Sequence, residues 1–166
     1  MRRKPQHLQV RPLVHRVLFV CLGNICRSPL AEGVFAAVAQ AHGLTVHADS
    51  AGTGGWHVGR PPDRRSQQIA ERHGLDIGRQ RARQIEAADF TRFDMILAMD
   101  EDNLRELERR KPAPGSRHLG LFLDFAPELG LRSVPDPYYG DLADFEHTYR
   151  LVYAASEGLA RRLAGL

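Results

Sequence analysis

Cys21 and Arg27 enclose Leu22-Gly23-Asn24-Ile25-Cys26, and Ser28-Pro29 follow at once. Before them stands a short apolar run, Val17–Val20, that reads as a strand. Behind them Pro29–His42 carries a helical pattern. A loop in that place opens a helix, and backbone N–H groups turned inward there make an anion site out of amide dipoles. A cysteine held beside a helix N-terminus and a guanidinium ionises easily, because both favour the thiolate. One segment thus offers a nucleophile and a cradle for a tetrahedral oxyanion, which points to phosphoryl transfer through sulfur. Arg27 would hold two equatorial oxygens side by side, which a lysine cannot do. The amides from Leu22 to Arg27 would supply further donors where charge spreads in the transition state.

Cys-x5-Arg alone is a weak pattern, and Cys21 could equally be a buried thiol closing a core strand. The neighbouring residue types favour chemistry. Gly23 permits a backbone conformation that a side chain would block. Asn24 tolerates left-handed dihedrals and can pin the loop with its amide. Ser28 suits an N-cap and Pro29 the first helical position. A phenolate leaves poorly unless protonated, so the reaction also needs a general acid, and later a base for water. Asp136 is the candidate: Pro135 and Pro137 restrict its backbone on either side. Asp-Pro can also merely begin a turn.

Cys21-Leu22-Gly23-Asn24-Ile25-Cys26-Arg27-Ser28-Pro29-Leu30-Ala31-Glu32 resembles the signature loop of the low-molecular-weight protein tyrosine phosphatases. Ser50-Ala51-Gly52-Thr53 with Trp56-His57, and Asp136-Pro137-Tyr138-Tyr139-Gly140, agree with that family in order and spacing. Phe93–Asp100 is similar to its third strand, and the likeness extends over residues 16–163. The resemblance implies a three-layer α/β sandwich, with a four-stranded parallel sheet of order 2-1-3-4 flanked by helices (phosphotyrosine protein phosphatase I-like). It implies that Cys21 is the nucleophile through a phosphocysteine intermediate, Arg27 the phosphate binder and Asp136 the general acid and base. Leu22, Gly23, Asn24, Ile25, Cys26 and Ser28 then belong to the substrate site, with Ser28 donating to the Cys21 sulfur, capping the helix, or both. Trp56, Tyr138 and Tyr139 resemble the family's aromatic walls, suited to a flat phenyl ring. Ser50 and His73, with Asn24, look like a supporting shell hydrogen-bonded to the loop, although a histidine before Gly74 also suits a helix C-terminus. Branches acting on phosphoarginine usually carry Thr where Ile25 stands, so Ile25 favours aryl phosphates. The implied partners are a phosphotyrosine protein or a small aryl phosphate, with inorganic phosphate released.

These residues need a frame, and the elements supply one. Strand signals at Val17–Val20, Leu44–Asp49, Phe93–Met99 and Arg117–Phe122 alternate with helical patterns at Pro29–His42, Pro61–His73, Ile85–Phe90, Glu101–Arg110 and Phe145–Leu163. A long Pro- and Gly-punctuated loop covers Ala126–Tyr139. Alternating β and α units imply a parallel sheet covered on both faces, with the site beyond the carboxyl ends of the strands. Cys21, Ser50 and Asp100 each end a strand and should share one rim.

The chain has 166 residues, 43% of them apolar, which suits one domain with a sizeable core. Residues 1–15 form a basic segment without an apolar stretch, expected as a disordered tail before a single domain at 16–166. No apolar run is long enough to span a membrane. Two cysteines suit a reducing compartment, so a cytoplasmic location is expected. The net charge is +3, and Arg60, Arg64, Arg65, Arg72, Arg79, Arg81 and Arg83 crowd one region. Such charges are usually solvated faces, or draw in an acidic substrate. No aromatic interleaving supports nucleic-acid binding. No His/Cys/Asp cluster has metal-ligand spacing, so neither metal nor cofactor is expected. A monomer or weak self-association is expected. Two other functions remain open at this level. An arsenate reductase on the same scaffold needs a relay of cysteines, and none follows Cys26; it would have to use an external thiol. A catalytically silent phosphotyrosine-binding module has no need of Cys21, Arg27 and Asp136 together.

Overall fold

The computed structural model describes residues 13–113 and 118–166. The basic segment before residue 13, and residues 114–117 in the break after the charged helix, lie outside the described residues. The elements run β1 (Val14–Cys21), α1 (Arg27–Ala41), β2 (Thr45–Gly52), α2 (Arg64–Arg72), α3 (Asp89–Arg92), β3 (Met95–Ala98), α4 (Glu101–Arg110), β4 (His118–Leu121) and α5 (Leu142–Leu163). Short 3-10 turns at Phe122–Phe125 and Pro127–Leu129 interrupt the long loop. The sheet is four-stranded with order β2-β1-β3-β4, and its pairs are parallel.

β1 is central, so both its faces are covered and its sequence is nearly continuous in apolar residues. Alternation still sorts them. Val17, Phe19 and Cys21 face the layer of α1 and α5, where Phe19 meets Phe35 and Phe122 edge-on at 5.5 and 4.9 Å. Leu18 and Val20 face the other layer, with Phe90, Phe93, Ile96 and Leu107. The strand begins at Val14, ahead of the boundary expected at residue 16, because Val14 and His15 pair with Thr45 and Val46 on β2. The chain leaves β1 for β2 on one side, and reaches β3 on the other. The carboxyl end of β1 is therefore the point where the connections diverge, and a crevice opens there.

Most element boundaries differ from the sequence reading by one to four residues, and two of the differences bear on the site. The short helix expected at Ile85–Phe90 lies at Asp89–Arg92, because Gln84 and Ile85 are drawn alongside Gly52: Ile85 N–H donates to the Gly52 carbonyl at 2.8 Å. α1 begins at Arg27 with Cys26 at its N-cap position. Ser28 is therefore inside the first turn, not at the cap.

Candidate active site

The segment from Cys21 to Arg27 wraps over the N-terminus of α1. Its amides can face inward because its carbonyls are engaged outward. The Cys21 and Leu22 carbonyls accept from Thr53 and Gly54 N–H at 2.9 Å each, and the Ile25 carbonyl from Asp63 N–H at 2.8 Å. The Cys26 carbonyl accepts from the Ser66 hydroxyl at 3.2 Å. Asn24 has φ of 57°, the left-handed conformation that asparagine tolerates better than most residues. It is 2% exposed and fully partnered: its amide donates to Ser28 Oγ at 2.8 Å and Ser50 Oγ at 2.9 Å, and its carbonyl accepts from Arg83 N–H at 3.0 Å. Gly23 leaves room for His57, since a Cβ there would stand 2.9 Å from that ring and displace it.

Ser28 Oγ lies 3.0 Å from Cys21 Sγ. Because Asn24 donates to that oxygen, the Ser28 proton is available for sulfur; the alternative acceptor, the Ala51 carbonyl, is at 3.5 Å, too long to compete. The hydroxyl thus serves sulfur rather than the helix terminus. The chain of bonds continues outward from Asn24 to Ser50, whose hydroxyl donates to Glu32 at 2.9 Å. Burial pushes the Glu32 carboxyl up to about 7, against the Ser50 hydrogen bond that favours its charge; neighbouring Asp49 adds to the rise and Arg83 opposes it.

Arg27 is buried, and one of its terminal nitrogens is already occupied. Nη1 donates to Asp100 at 2.6 Å and to the Val134 carbonyl at 2.9 Å. Nη2 faces Asp136 at 3.7 Å. Burial works against the charge of Arg27, but the Cys21 sulfur, Asp100 and Asp136 together hold its pKa above the ordinary arginine value. Asp100 has a second task, accepting from Asn103 N–H at 2.7 Å as the N-cap of α4. One carboxylate therefore fixes both a helix start and the guanidinium. Cys26 is buried beside Cys21, and burial first, then Asp63 and Cys21, push its thiol far up, so it remains protonated.

A cleft opens over this loop, lined by Cys21, Leu22, Gly23, Ile25, Cys26, Arg27, Trp56, His57, Asp136 and Tyr138. Trp56 is 71% exposed and stands at its edge. Tyr139 does not line it: the ring is 97% exposed and packs edge-on against Tyr138, so Tyr138 alone of the pair forms a wall. His73 is also not where the sequence suggested. It ends α2, pairs with Glu146 at 2.8 Å and stacks on Tyr149 at 3.6 Å between ring centroids, so its hydrogen bond goes to α5 and not to the loop. Ser50 does join the loop through Asn24.

Sequence reasoning placed Asp100 on the rim but gave it no partner, and passed over His57, Glu32, Asp63 and the separate fates of the arginines. Asp100 had a local signal as the cap before Glu101–Arg110; its bond to Arg27 is a tertiary event. Arg83 is not a solvated charge, since it bridges Asp49 and the fully buried Asp89, each at 3.0 Å.

No described helix is long and apolar enough to cross a membrane. The family model described as low molecular weight phosphotyrosine protein phosphatase matches residues 16–165. A low molecular weight protein-tyrosine-phosphatase of Bacillus subtilis, YfkJ, is 43% identical over 145 residues, covering 86% of this chain and 92% of that one. A solved protein tyrosine phosphatase from Entamoeba histolytica, with Hepes in its active site, superposes with a TM-score of 0.87 at 38% identity, covering 91% and 97% of the two chains. A Drosophila arginine phosphatase superposes with a TM-score of 0.82 at 34% identity, covering 89% and 96%. The cleft built around Cys21 thus sits in a sequence and a fold shared with enzymes that remove phosphate from proteins, and the chain belongs to the low molecular weight phosphotyrosine protein phosphatase family.

Proposed function

We propose that this phosphatase hydrolyses phosphotyrosine in proteins, and small aryl phosphates, in two displacements at Cys21. The Cys21 thiolate attacks phosphorus in line; the bond to the phenol oxygen breaks, and that oxygen leaves with the proton of Asp136. Asp136, now a carboxylate, takes a proton from water. The oxygen of that water attacks the phosphocysteine, the sulfur departs as thiolate eased by the Ser28 hydroxyl, and inorganic phosphate is released. Arg27 holds two phosphoryl oxygens through the edge of its guanidinium not committed to Asp100 and Val134. The loop amides hold the others. No step draws on a metal or cofactor.

The observation that carries this reading is the meeting of Cys21, Arg27 and Asp136 in one cleft that also has Tyr138 and Trp56 on its sides. A charged cradle beside flat apolar walls fits an aryl phosphate. Ile25 in the cleft favours the aryl substrate over phosphoarginine, although the fold is common to both kinds of enzyme. The reading includes a single catalytic domain running from β1 to the end of α5, a monomer or weak self-association, and a reducing cytoplasmic setting that keeps both thiols free. Turnover of p-nitrophenyl phosphate by the parent and by Cys21→Ser tests it. The expected result is complete loss of turnover with phosphate or vanadate binding retained, since serine fits the loop but offers no thiolate. Full activity in the variant, or activity abolished by EDTA, overturns the mechanism.

A further inference from the structure

Arg65 stands in the first turn of α2, outside the catalytic cleft, yet it connects both halves of the active site. Its guanidinium holds Asp63 with two nitrogens, Nε at 3.0 Å on one oxygen and Nη2 at 3.0 Å on the other. Asp63 in turn belongs to the phosphate loop's support: its N–H donates to the Ile25 carbonyl, and its carboxylate caps α2 through Arg65 N–H at 2.8 Å. From that anchor the guanidinium reaches across to the loop that carries Asp136. Nη1 donates to the Gly140 carbonyl at 2.9 Å and Nη2 to the Tyr138 carbonyl at 2.9 Å. Its flat face lies over the Phe145 ring, 4.4 Å from the centroid, which fixes its plane.

On the N-terminal side of Asp136 the loop is tied to the sheet through buried Val134, whose N–H donates to the Met99 carbonyl at 2.8 Å and whose carbonyl accepts from Arg27; on the C-terminal side it is Arg65 that ties it to the phosphate loop's support. Asp136 has a side chain that is 46% exposed, accepts from Tyr138 N–H at 3.1 Å and stands 3.7 Å from Arg27. The peptide that follows that N–H is the one whose carbonyl Arg65 grips. We infer that Arg65 is a positioning residue: a planar strut that sets the general acid's loop at a fixed distance from the phosphate loop, and so decides how well the enzyme protonates poor leaving groups. The inference rests on Asp136 being the acid. The guanidinium shape matters, because it must satisfy one carboxylate along an edge and two carbonyls at once while stacked on a ring. An ammonium cannot match that set.

The test is a leaving-group series of aryl phosphates with the parent, Arg65→Met, Arg65→Lys, Asp136→Asn and the double variant Arg65→Met/Asp136→Asn. For both Arg65 variants kcat/KM, which reads the first displacement and not the hydrolysis of the phosphocysteine common to all substrates, should fall roughly 10–100-fold on phenols of high pKa, the scale of a small displacement of a reacting group. It should stay near the parent value on phenols of low pKa, which need no proton. Inhibition by vanadate should be unchanged, which separates a displaced acid from a damaged phosphate loop. In the Asp136→Asn background, Arg65→Met should cost little more, because an acid already absent cannot be displaced further. Uniform loss across the series, weakened vanadate binding, full rescue by lysine, or additive effects in the double variant each overturn the strut. If Asp136→Asn itself shows no leaving-group dependence, the acid assignment fails and the strut falls with it. If Asp136→Asn shows that dependence and the Arg65 variants do not, the strut alone is wrong.

Discussion

The phosphate loop and the acid loop face each other across one cleft and are built on opposite terms. From Cys21 to Ser28 all but Leu22, Gly23 and Ile25 are buried, Asn24 is saturated with partners and the outward carbonyls of Cys21, Leu22, Ile25 and Cys26 are engaged. On the other side Asp136 is half-exposed, Tyr139 is almost bare and Trp56 projects into solvent. The difference follows from what each must bind. A phosphoryl group has one shape and one charge distribution in every substrate, so its donors can be fixed before it arrives and need no reorganisation during reaction. The aryl group and the peptide around it vary, and the acid must serve a leaving group that enters and departs. The frame therefore carries the invariant chemistry, and the rim carries what depends on substrate.

Oxidation gives the largest expected effect on the frame. Peroxide should convert the Cys21 thiolate to a sulfenic acid with release of hydroxide, and Cys26 should then condense with it, expelling water and forming a disulfide. Cys21 contributes to the raised pKa of the Cys26 thiol, and that contribution disappears once Cys21 is neutral sulfenic acid. Activity should be lost completely and return with dithiothreitol. Cys26→Ala should be active when reduced but fail to recover. Peptide mapping that finds no Cys21–Cys26 link, with recovery of Cys26→Ala equal to the parent, assigns Cys26 to packing alone.

Asp136→Asn is the corresponding cut at the rim. It should lower kcat/KM, which reads the first displacement, by roughly 10²–10⁴-fold on poor leaving groups, the span of general acid catalysis, and far less on good ones. An equal loss across a leaving-group series would make Asp136 structural and erase the distinction between frame and rim. Asp100→Asn should behave in the opposite way. It weakens a charge-assisted bond to the buried guanidinium, worth about 1.5–3 kcal/mol, so vanadate affinity and kcat should fall roughly 10–100-fold for every leaving group alike. A loss confined to high-pKa phenols would show that Asp100 acts through the acid loop instead.

How much of this could be read from the sequence follows the same divide. β1, the loop and α1 are contiguous, and Gly23, Asn24 and the arginine announce a tight turn over a helix start within a few residues. α4 begins and ends where the sequence placed it, since Asp100 caps it locally and Lys111-Pro112 follow it. Elsewhere the deciding contact is remote. His73 finds Glu146 and Tyr149 only after α5 has packed on α2, and no local pattern reports that. Tyr138 and Tyr139 are adjacent and of one residue type, so nothing local says that the first lines the cleft while the second is almost fully exposed. Arg65 and Arg83 looked like two members of a basic run. Arg65 is instead held by Asp63, two residues before it, and reaches the remote carbonyls of Tyr138 and Gly140, while Arg83 joins Asp89, six residues on, to Asp49 in β2.

The smallest expected effect tests the far end of the frame. Glu32 accepts the Ser50 hydroxyl, which receives the Asn24 amide, which binds Ser28 beside Cys21. Its carboxyl titrates at about 7 when folded, above the ordinary glutamate value it regains on unfolding. A raised acid favours the folded state while it keeps its proton. That advantage is whole below the unfolded pKa of about 4.3 and is lost as pH rises through about 7. The displacement sets an upper bound of about 4 kcal/mol on the change in stability. Glu32→Gln keeps an oxygen to accept from Ser50 but cannot ionise. Its Tm relative to the parent should therefore climb between pH 5 and 8, with little change in kcat at pH 5, where Glu32 is already neutral. A constant Tm difference across that range would mean that Glu32 does not titrate there, and that the frame ends at Ser50.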